Sequence, residues 1–132
     1  MDGDGEYPAY ELYQQGLDQL DDGQTGLARE SLEAADGLEP GTSSIQEALG
    51  RVYFRLRRYE QAASVFAEIL QREPLDHYAH FCIARCYDRL DDVQRALHHY
   101  RLATTLQPSR SVYRRTLTSF MHKQQVTDDG PA

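Results

Sequence analysis

The chain repeats itself with a period of 34 residues. The segment RRYEQAASVFAEILQREPLD (57–76) aligns without a gap with DDVQRALHHYRLATTLQPSR (91–110), and a third copy, DDGQTGLARESLEAADGLEPGT, lies one period upstream. Three prolines, at positions 40, 74 and 108, occupy the same place in each copy. A fixed period of this length is typical of repeat proteins, in which each unit packs mainly against its neighbours.

Within each period the apolar residues have helical spacing. They fall at i, i+3, i+4 and i+7 in Leu49, Val52, Tyr53 and Leu56, and the pattern resumes after a short break in Ala62, Phe66, Ile69 and Leu70. Each proline then ends the second helix, because proline lacks an N–H and disfavours helical geometry in the preceding residue. This spacing predicts helices near residues 8–21, 25–38, 43–56, 59–72, 76–90, 93–106 and 109–123.

The ends of the predicted helices carry capping signals. Thr25 and Asp92 are candidate N-caps. Ser43 with Gln46, and Ser44 with Glu47, have the spacing of a capping box.

Small residues fall in one column of the first helices (Gly16, Gly50, Ala84) and one of the second helices (Ala28, Ala62, Ala96), followed four residues later by a large residue (Leu32, Phe66, Tyr100). A 34-residue helix-turn-helix unit with these columns resembles the tetratricopeptide repeat, and the resemblance covers residues 8 to 123. A later alanine column reads Ala35, Ile69 and Ala103, and the aromatic of the first helix, Tyr53 and Tyr87, is replaced in the first unit by Gln19. The first unit is therefore the weakest match.

The resemblance implies an all-α fold, an α-solenoid of three helix-turn-helix units with a C-terminal capping helix. We predict repeats at about 8–41, 42–75 and 76–109, a capping helix at 109–123, and flexible tails at 1–7 and 124–132. The capping helix would cover the last unit with an apolar stripe formed by Val112, Tyr113, Leu117, Phe120 and Met121.

Composition places the chain among soluble proteins of one domain. No apolar run approaches the roughly 20 residues that a membrane span needs, and no signal peptide opens the chain, so we predict a cytoplasmic protein. Cys82 and Cys86 lie four residues apart in an apolar segment, too far apart on a helix to form a disulfide, and are expected to be reduced core thiols.

The net charge of −7 is unevenly distributed. Residues 1–40 contain eleven acidic residues and one arginine, whereas residues 41–132 contain ten acidic and thirteen basic residues, twelve of them arginine. The acidic first third argues against nucleic acid as a partner. Arginine favours forked contacts with carboxylates, although a GC-rich coding sequence also enriches it.

The sequence contains no phosphate-binding loop, nucleophile elbow or other catalytic motif, so we predict no enzymatic activity, no cofactor and no metal site. His77, His80, Cys82 and Cys86 are the densest group of metal-type ligands, but on one helix they cannot all face one ion. His98 and His99 are adjacent and are expected to be a solvated pair.

Proteins that resemble this family usually bind a peptide or a helix of a partner in a groove lined by the first helices. The groove columns of the family place nine candidate partner-binding residues in this chain: Tyr10, Tyr13, Arg51, Phe54, Arg55, Tyr78, Phe81, Arg85 and Arg89. The four arginines among them, called here the arginine cluster, predict a ligand that offers carboxylates and an apolar side chain.

Two alternatives to this binding site remain at the level of the sequence. The arginine cluster could instead be neutralised internally, by pairs of Glu47 with Arg51, Asp21 with Arg55 and Asp88 with a neighbouring arginine. The chain could also be a self-associating assembly module, because tyrosines 7, 10 and 13 crowd the irregular first unit.

The Lys and Asn positions by which some relatives clamp the terminal carboxylate of a chaperone hold Tyr13, Leu17, Ala48, Tyr78 and Cys82, which disfavours a chaperone-tail receptor.

Overall fold

The computed structural model describes residues 7–128 of the chain, with side chains described to residue 125. The described part is entirely helical apart from turns, as predicted. Its elements are α1 (Pro8–Asp21), α2 (Thr25–Leu38), α3 (Ser43–Arg55), α4 (Tyr59–Arg72), α5 (His77–Arg89), α6 (Val93–Leu106) and α7 (Ser111–Asp128). The helices pack in sequential order, so the pairs α1–α2, α3–α4 and α5–α6 form three stacked units that end in α7.

The turn inside each unit has the same backbone conformation. Gly23, Arg57 and Asp91 have φ values of 79°, 62° and 60°, in the left-handed region. These positions are 34 residues apart, so the repeat extends to the backbone although only the first unit has the glycine that this conformation favours.

Each unit closes around a small residue of its first helix. A Cβ atom built at Gly16 would lie 2.6 Å from Cγ of Leu32, and one built at Gly50 would lie 2.5 Å from Cζ of Phe66. Both distances are far shorter than real contacts, so only glycine leaves room for the large residue of the second helix. The small column of the first helices thus lies against the large column of the second helices in these two units.

Neighbouring units share a continuous core. One cluster of buried residues extends from Leu20 in α1 to Cys86 in α5. Tyr53 of the second unit also donates a hydrogen bond of 2.7 Å to Glu33 of the first. Each unit thus covers apolar surface that its neighbour could not bury alone.

Helix α7 closes the stack over a second cluster of buried residues. Tyr113 and Phe120 of α7 are buried against Phe81 and Tyr100. The helix begins two residues later than predicted and continues through residues 124–128, which were predicted to be part of a tail. The remaining predicted tail residues, 1–6 and 129–132, lie outside the described residues.

No helix in the described part of the chain is long and apolar enough to cross a membrane.

Candidate functional site

The arginine cluster surrounds a cleft between the second and third units. Arg51 and Arg55 lie one turn apart on α3, and Arg85 and Arg89 lie one turn apart on α5. The cleft has a volume of about 350 Å³. Its lining combines three of the arginines with aromatic and thiol groups: Arg51, Phe54, Arg55, Phe66, Tyr78, Cys82 and Arg85.

The aromatic ring of Phe54 lies at the centre of the cluster. The guanidinium carbon of Arg85 is 4.5 Å from the centroid of this ring, and that of Arg89 is 5.3 Å away. Tyr59, the first residue of α4, packs edge-on against the same ring at 5.1 Å. The negative face of an aromatic ring attracts cations, which helps the two guanidinium groups of α5 to lie close together.

The guanidinium groups differ in how firmly they are held. Arg55 donates a hydrogen bond of 3.1 Å to the carbonyl of Leu20 at the end of α1, and Arg89 donates one of 3.3 Å to the hydroxyl of Tyr59. Arg51 makes no hydrogen bond, ion pair or ring contact with another side chain in residues 7–125. Arg51 and Arg85 are therefore the two members that a ligand can engage without breaking a hydrogen bond.

The internal ion pairs considered as an alternative do not form as direct contacts. Within the described part of the chain, none of the four arginines has a carboxylate within 4.0 Å. Asp88 accepts a hydrogen bond from Tyr100 and pairs with Lys123 instead. Helix α7 supplies this lysine, and the predicted pairing missed it because Lys123 lies 35 residues further along the chain.

Burial controls the titration of the groups beside the arginines. Burial raises the pKa of Glu47 above its usual value, and the nearby Arg51 charge opposes this increase only in part. Burial also raises the pKa of the Tyr78 hydroxyl well above its usual value and that of the Cys82 thiol to about 12. At neutral pH the tyrosine and the cysteine are uncharged, so the cleft presents an apolar floor beneath cationic side chains.

The other predicted site residues lie outside this cleft. Tyr10 and Tyr13 border a separate cleft of about 200 Å³ between the first and second units, together with Ile45 of α3 and Glu39 and Thr42 of the α2–α3 connection. Phe81 is only 9% exposed, and its ring stacks on Tyr113 at 4.7 Å. Helix α7 covers the ring that the groove columns had assigned to the ligand surface, so Phe81 supports the wall of the groove from within.

Tyr59 is the site residue that the sequence reasoning did not identify. It lies at the predicted start of the fourth helix, whereas the groove columns were taken from the first helices alone. Two aromatic residues five positions apart, Phe54 and Tyr59, on either side of a predicted turn are the signal that could have indicated it.

The histidines and cysteines that form the densest group of metal-type ligands in the sequence pack within the third unit. Within the described residues no group of three or more such side chains could hold an ion. His77 contacts the hydroxyl of Tyr113 at 2.8 Å, and His80 contacts His99. His99 is half-buried between His80 and Tyr87, so the expectation of a solvated pair holds only for its exposed neighbour His98.

Stacked two-helix units whose first helices border a cleft define the class of α-solenoid repeat proteins. Within this class, the family model for the tetratricopeptide repeat matches residues 13–71 and, one period later, residues 47–111. The chain belongs to the tetratricopeptide repeat family.

Solved structures of this family have the same fold. The first tetratricopeptide repeat domain of Spaghetti (RPAP3), solved with the HSP90 peptide SRMEEVD, has a TM-score of 0.83 and 16% identity, over 89% of this chain and 94% of that one. MamA from Desulfovibrio magneticus RS-1 has a TM-score of 0.84 and 20% identity, over 89% of this chain and 66% of that one. The type III secretion translocator chaperone SycD from Yersinia enterocolitica has a TM-score of 0.80 and 17% identity, over 88% of this chain and 85% of that one. No curated protein sequence matches this chain.

Proposed function

We propose that the chain is a non-enzymatic, cytoplasmic adaptor whose arginine cluster binds an acidic segment of a partner protein. The observation that supports this proposal is the absence of direct ion pairs within the arginine cluster. Three of its guanidinium groups line one cleft and that of Arg89 lies over the ring of Phe54, and in residues 7–125 no carboxylate lies within 4.0 Å of any of the four. Like charges brought together repel one another, so a ligand that supplies carboxylates gains the interaction that the chain itself lacks.

The chemistry of the cleft specifies two features of the ligand. Arg51 and Arg85 can each accept a carboxylate in a forked geometry, because their donors are not engaged by other side chains. Phe54 and Tyr78 are half-buried and offer an apolar surface between them, above the buried Phe66 and Cys82. The ligand is therefore a short extended or helical segment with at least two acidic residues next to an apolar one.

The structure of the Spaghetti domain gives a precedent for the fold with a ligand of this chemistry. Its peptide, SRMEEVD, contains both acidic and apolar residues. The positions at which some relatives hold Lys or Asn against a terminal carboxylate are occupied here by residues such as Ala48 and Tyr78. We therefore propose recognition of acidic side chains by the arginine cluster, without a requirement for a free C terminus.

A peptide-display selection followed by fluorescence anisotropy tests this function. We expect the selection to enrich peptides with Asp or Glu beside Leu, Phe or Met. An enriched, fluorescein-labelled peptide should bind the parent chain more weakly as sodium chloride increases. In Arg51→Glu/Arg85→Glu its affinity should fall by about 100-fold or more, since charge-assisted hydrogen bonds contribute about 1.5–3 kcal/mol each.

A control variant with the same change in charge separates the groove from the overall charge of the chain. Arg101→Glu/Arg110→Glu alters two exposed arginines outside the cleft and should bind the peptide with nearly the parent affinity. Both variants should show the parent circular dichroism spectrum and melting temperature. Equal loss of affinity in both variants, or enrichment of neutral and basic peptides, would contradict the proposal.

A further inference from the structure

Within the described residues, helix α7 presents an uncovered face at the end of the stack. Its buried residues, Tyr113 and Phe120, face α6, and the opposite side of the helix is exposed. This exposed side, called here the tail face, consists of Arg114, Arg115, Thr118, Met121 and His122. Met121 is 38% exposed, although the predicted apolar stripe placed it against the last unit.

The 34-residue register shows that this face corresponds to a buried one in the preceding units. Arg114 corresponds to Gln46 and His80, Thr118 to Gly50 and Ala84, and Met121 to Tyr53 and Tyr87. In the second unit, Gln46 bonds to Glu68 of α4 and Gly50 faces Phe66 of α4. In the third unit, His80 contacts His99 of α6. Helix α7 thus has the first-helix surface of a fourth unit, without a second helix over it in the described residues.

The tail face is strongly basic. Residues 93–125 contain six cationic residues and neither Asp nor Glu. Arg114 donates a hydrogen bond to the carbonyl of Pro108 and Arg115 to the hydroxyl of Ser111, but both side chains are exposed and neither has a carboxylate within 4.0 Å in the described part of the chain. A group that covers this face should therefore carry negative charge as well as apolar surface.

The first helix at the other end of the stack has the complementary character. Residues 8–38 contain seven acidic residues and one arginine. Four exposed residues lie on one side of α1 and its ends, opposite the residues of α1 that pack on α2. They are Tyr7, Glu11, Asp18 and Asp22. Tyr7 is 64% exposed and the neighbouring Tyr10 is 60% exposed. This acidic and aromatic surface, called here the head face, is opposite in charge to the tail face and, like it, exposes apolar side chains.

We propose that the tail face of one molecule docks on the head face of a second copy, so that the molecules associate head to tail. The contact joins two different surfaces, so it does not close into a symmetric dimer and can extend to further copies. Tyr7, Tyr10 and Met121 would supply apolar burial, and Arg114 and Arg115 would face Glu11 and Asp18. The arginine cluster takes no part in this contact, so the inference is independent of the function proposed for that cluster.

Sedimentation velocity over a series of protein concentrations, at low and high sodium chloride, tests the inference. We expect the mean mass of the parent chain to rise with concentration beyond that of a dimer, and the association to weaken at high salt. Arg114→Glu/Arg115→Glu and Glu11→Arg/Asp18→Arg should each weaken association at least about tenfold, because each variant brings like charges together at the contact.

An equimolar mixture of the two charge-reversed variants provides the decisive measurement. In the mixture, each unaltered face meets an unaltered face of the other variant, and each reversed face meets a reversed one. Opposite charges are therefore restored at both contacts, and association should return toward that of the parent chain. Arg51→Glu/Arg85→Glu, altered only in the groove, should associate as the parent does.

Several outcomes would overturn the inference. A parent chain that stays monomeric at all concentrations would do so, as would a mixture that fails to associate when its components are folded by circular dichroism. A symmetric dimer that neither charge reversal affects would point to a different surface. If the parent chain were monomeric and bound a labelled single-stranded oligonucleotide through Arg114 and Arg115, the tail face would be a nucleic-acid surface instead.

Discussion

At the scale of single residues, His80 and His99 form the most constrained polar contact in the core. His80 is 6% exposed, and its Nε2 lies 2.8 Å from the carbonyl of Pro74, which can only accept a hydrogen bond. Nε2 of His80 must therefore carry the proton. In the neutral pair, Nδ1 of His80 then accepts from Nδ1 of His99 at 2.9 Å.

This arrangement predicts loss of stability in mild acid. Burial, followed by the charges of His80, His98 and Arg95, lowers the pKa of His99 from 6.5 to about 4. A histidine whose pKa is lower in the folded state contributes stability that is fully present above pH 6.5 and is lost as pH falls from there toward 4. Urea denaturation at a series of pH values should show the midpoint decreasing over this interval.

The variant His99→Gln should flatten that pH dependence, because it removes the group whose pKa changes on folding. His98→Gln is the matched control, since His98 is exposed and should leave most of the dependence in place. An identical slope in His99→Gln and in the parent chain would mean that other groups cause the acid sensitivity.

At the scale of helices, the contact of α3 with α4 depends on the absence of a side chain at residue 50. The Gly50→Leu variant should overpack this contact and lower the free energy of unfolding by about 1–3 kcal/mol or more, because the ring of Phe66 occupies the space that leucine needs. Gly37→Leu is the control, since a Cβ at Gly37 meets nothing within 4 Å. Thermal melting of both variants would check the prediction, and equal melting temperatures would mean that the contact has room to adapt.

Helix ends show where local patterns are sufficient and where they are not. Asp92 accepts a hydrogen bond from the backbone N–H of Arg95, so this predicted N-cap is confirmed. Thr25 and Ser43 are instead the first residues of α2 and α3, after Gln24 and Thr42, and neither helix has a side-chain cap. The hydroxyl of Ser43 contacts Glu73 and Arg72, and Gln46 also reaches α4. The side chains of Ser43 and Gln46 therefore bond to residues at α4 and do not form the capping box. Sequence spacing alone cannot reveal these partners.

At the scale of the whole molecule, the buried residues form two clusters of unequal size along the stack. Tyr113 anchors the C-terminal cluster, where it stacks on Phe81 and its hydroxyl contacts His77. The variant Tyr113→Ala should cost about 3 kcal/mol, as large-to-small changes in a core do, with the loss concentrated in the third unit. Units of a solenoid interact mainly with their neighbours, so damage at one end should decay along the stack.

Native-state hydrogen exchange measures this distribution directly. In Tyr113→Ala, amides of α5 and α6 should exchange much faster than in the parent chain, and those of α1 and α2 should change little. Val112→Ala, at an exposed position of the same helix, should leave the amide exchange rates at both ends of the stack unchanged. A uniform loss of protection along the chain would mean that the stack unfolds as a single cooperative unit.

The sequence by itself determined the architecture of this protein. The period of 34 residues, the helical spacing of the apolar residues and the placing of the prolines and glycines are local properties of the chain, and they predicted seven helices and the positions of their pairs. Repetition made this inference strong, because the same local preference acts three times in register.

The tertiary structure decided which side chains remain available to a ligand. Phe81 was assigned to the groove, but α7 buries it, and Asp88 was assigned to an arginine, but Lys123 and Tyr100 hold it. Tyr59 enters the site only because a turn returns the chain to Phe54. These outcomes depend on side-chain rotamers and on distances between residues that are far apart in sequence. A repeat pattern specifies the helix on which a residue lies, but it does not specify which side chains that residue contacts in the folded chain.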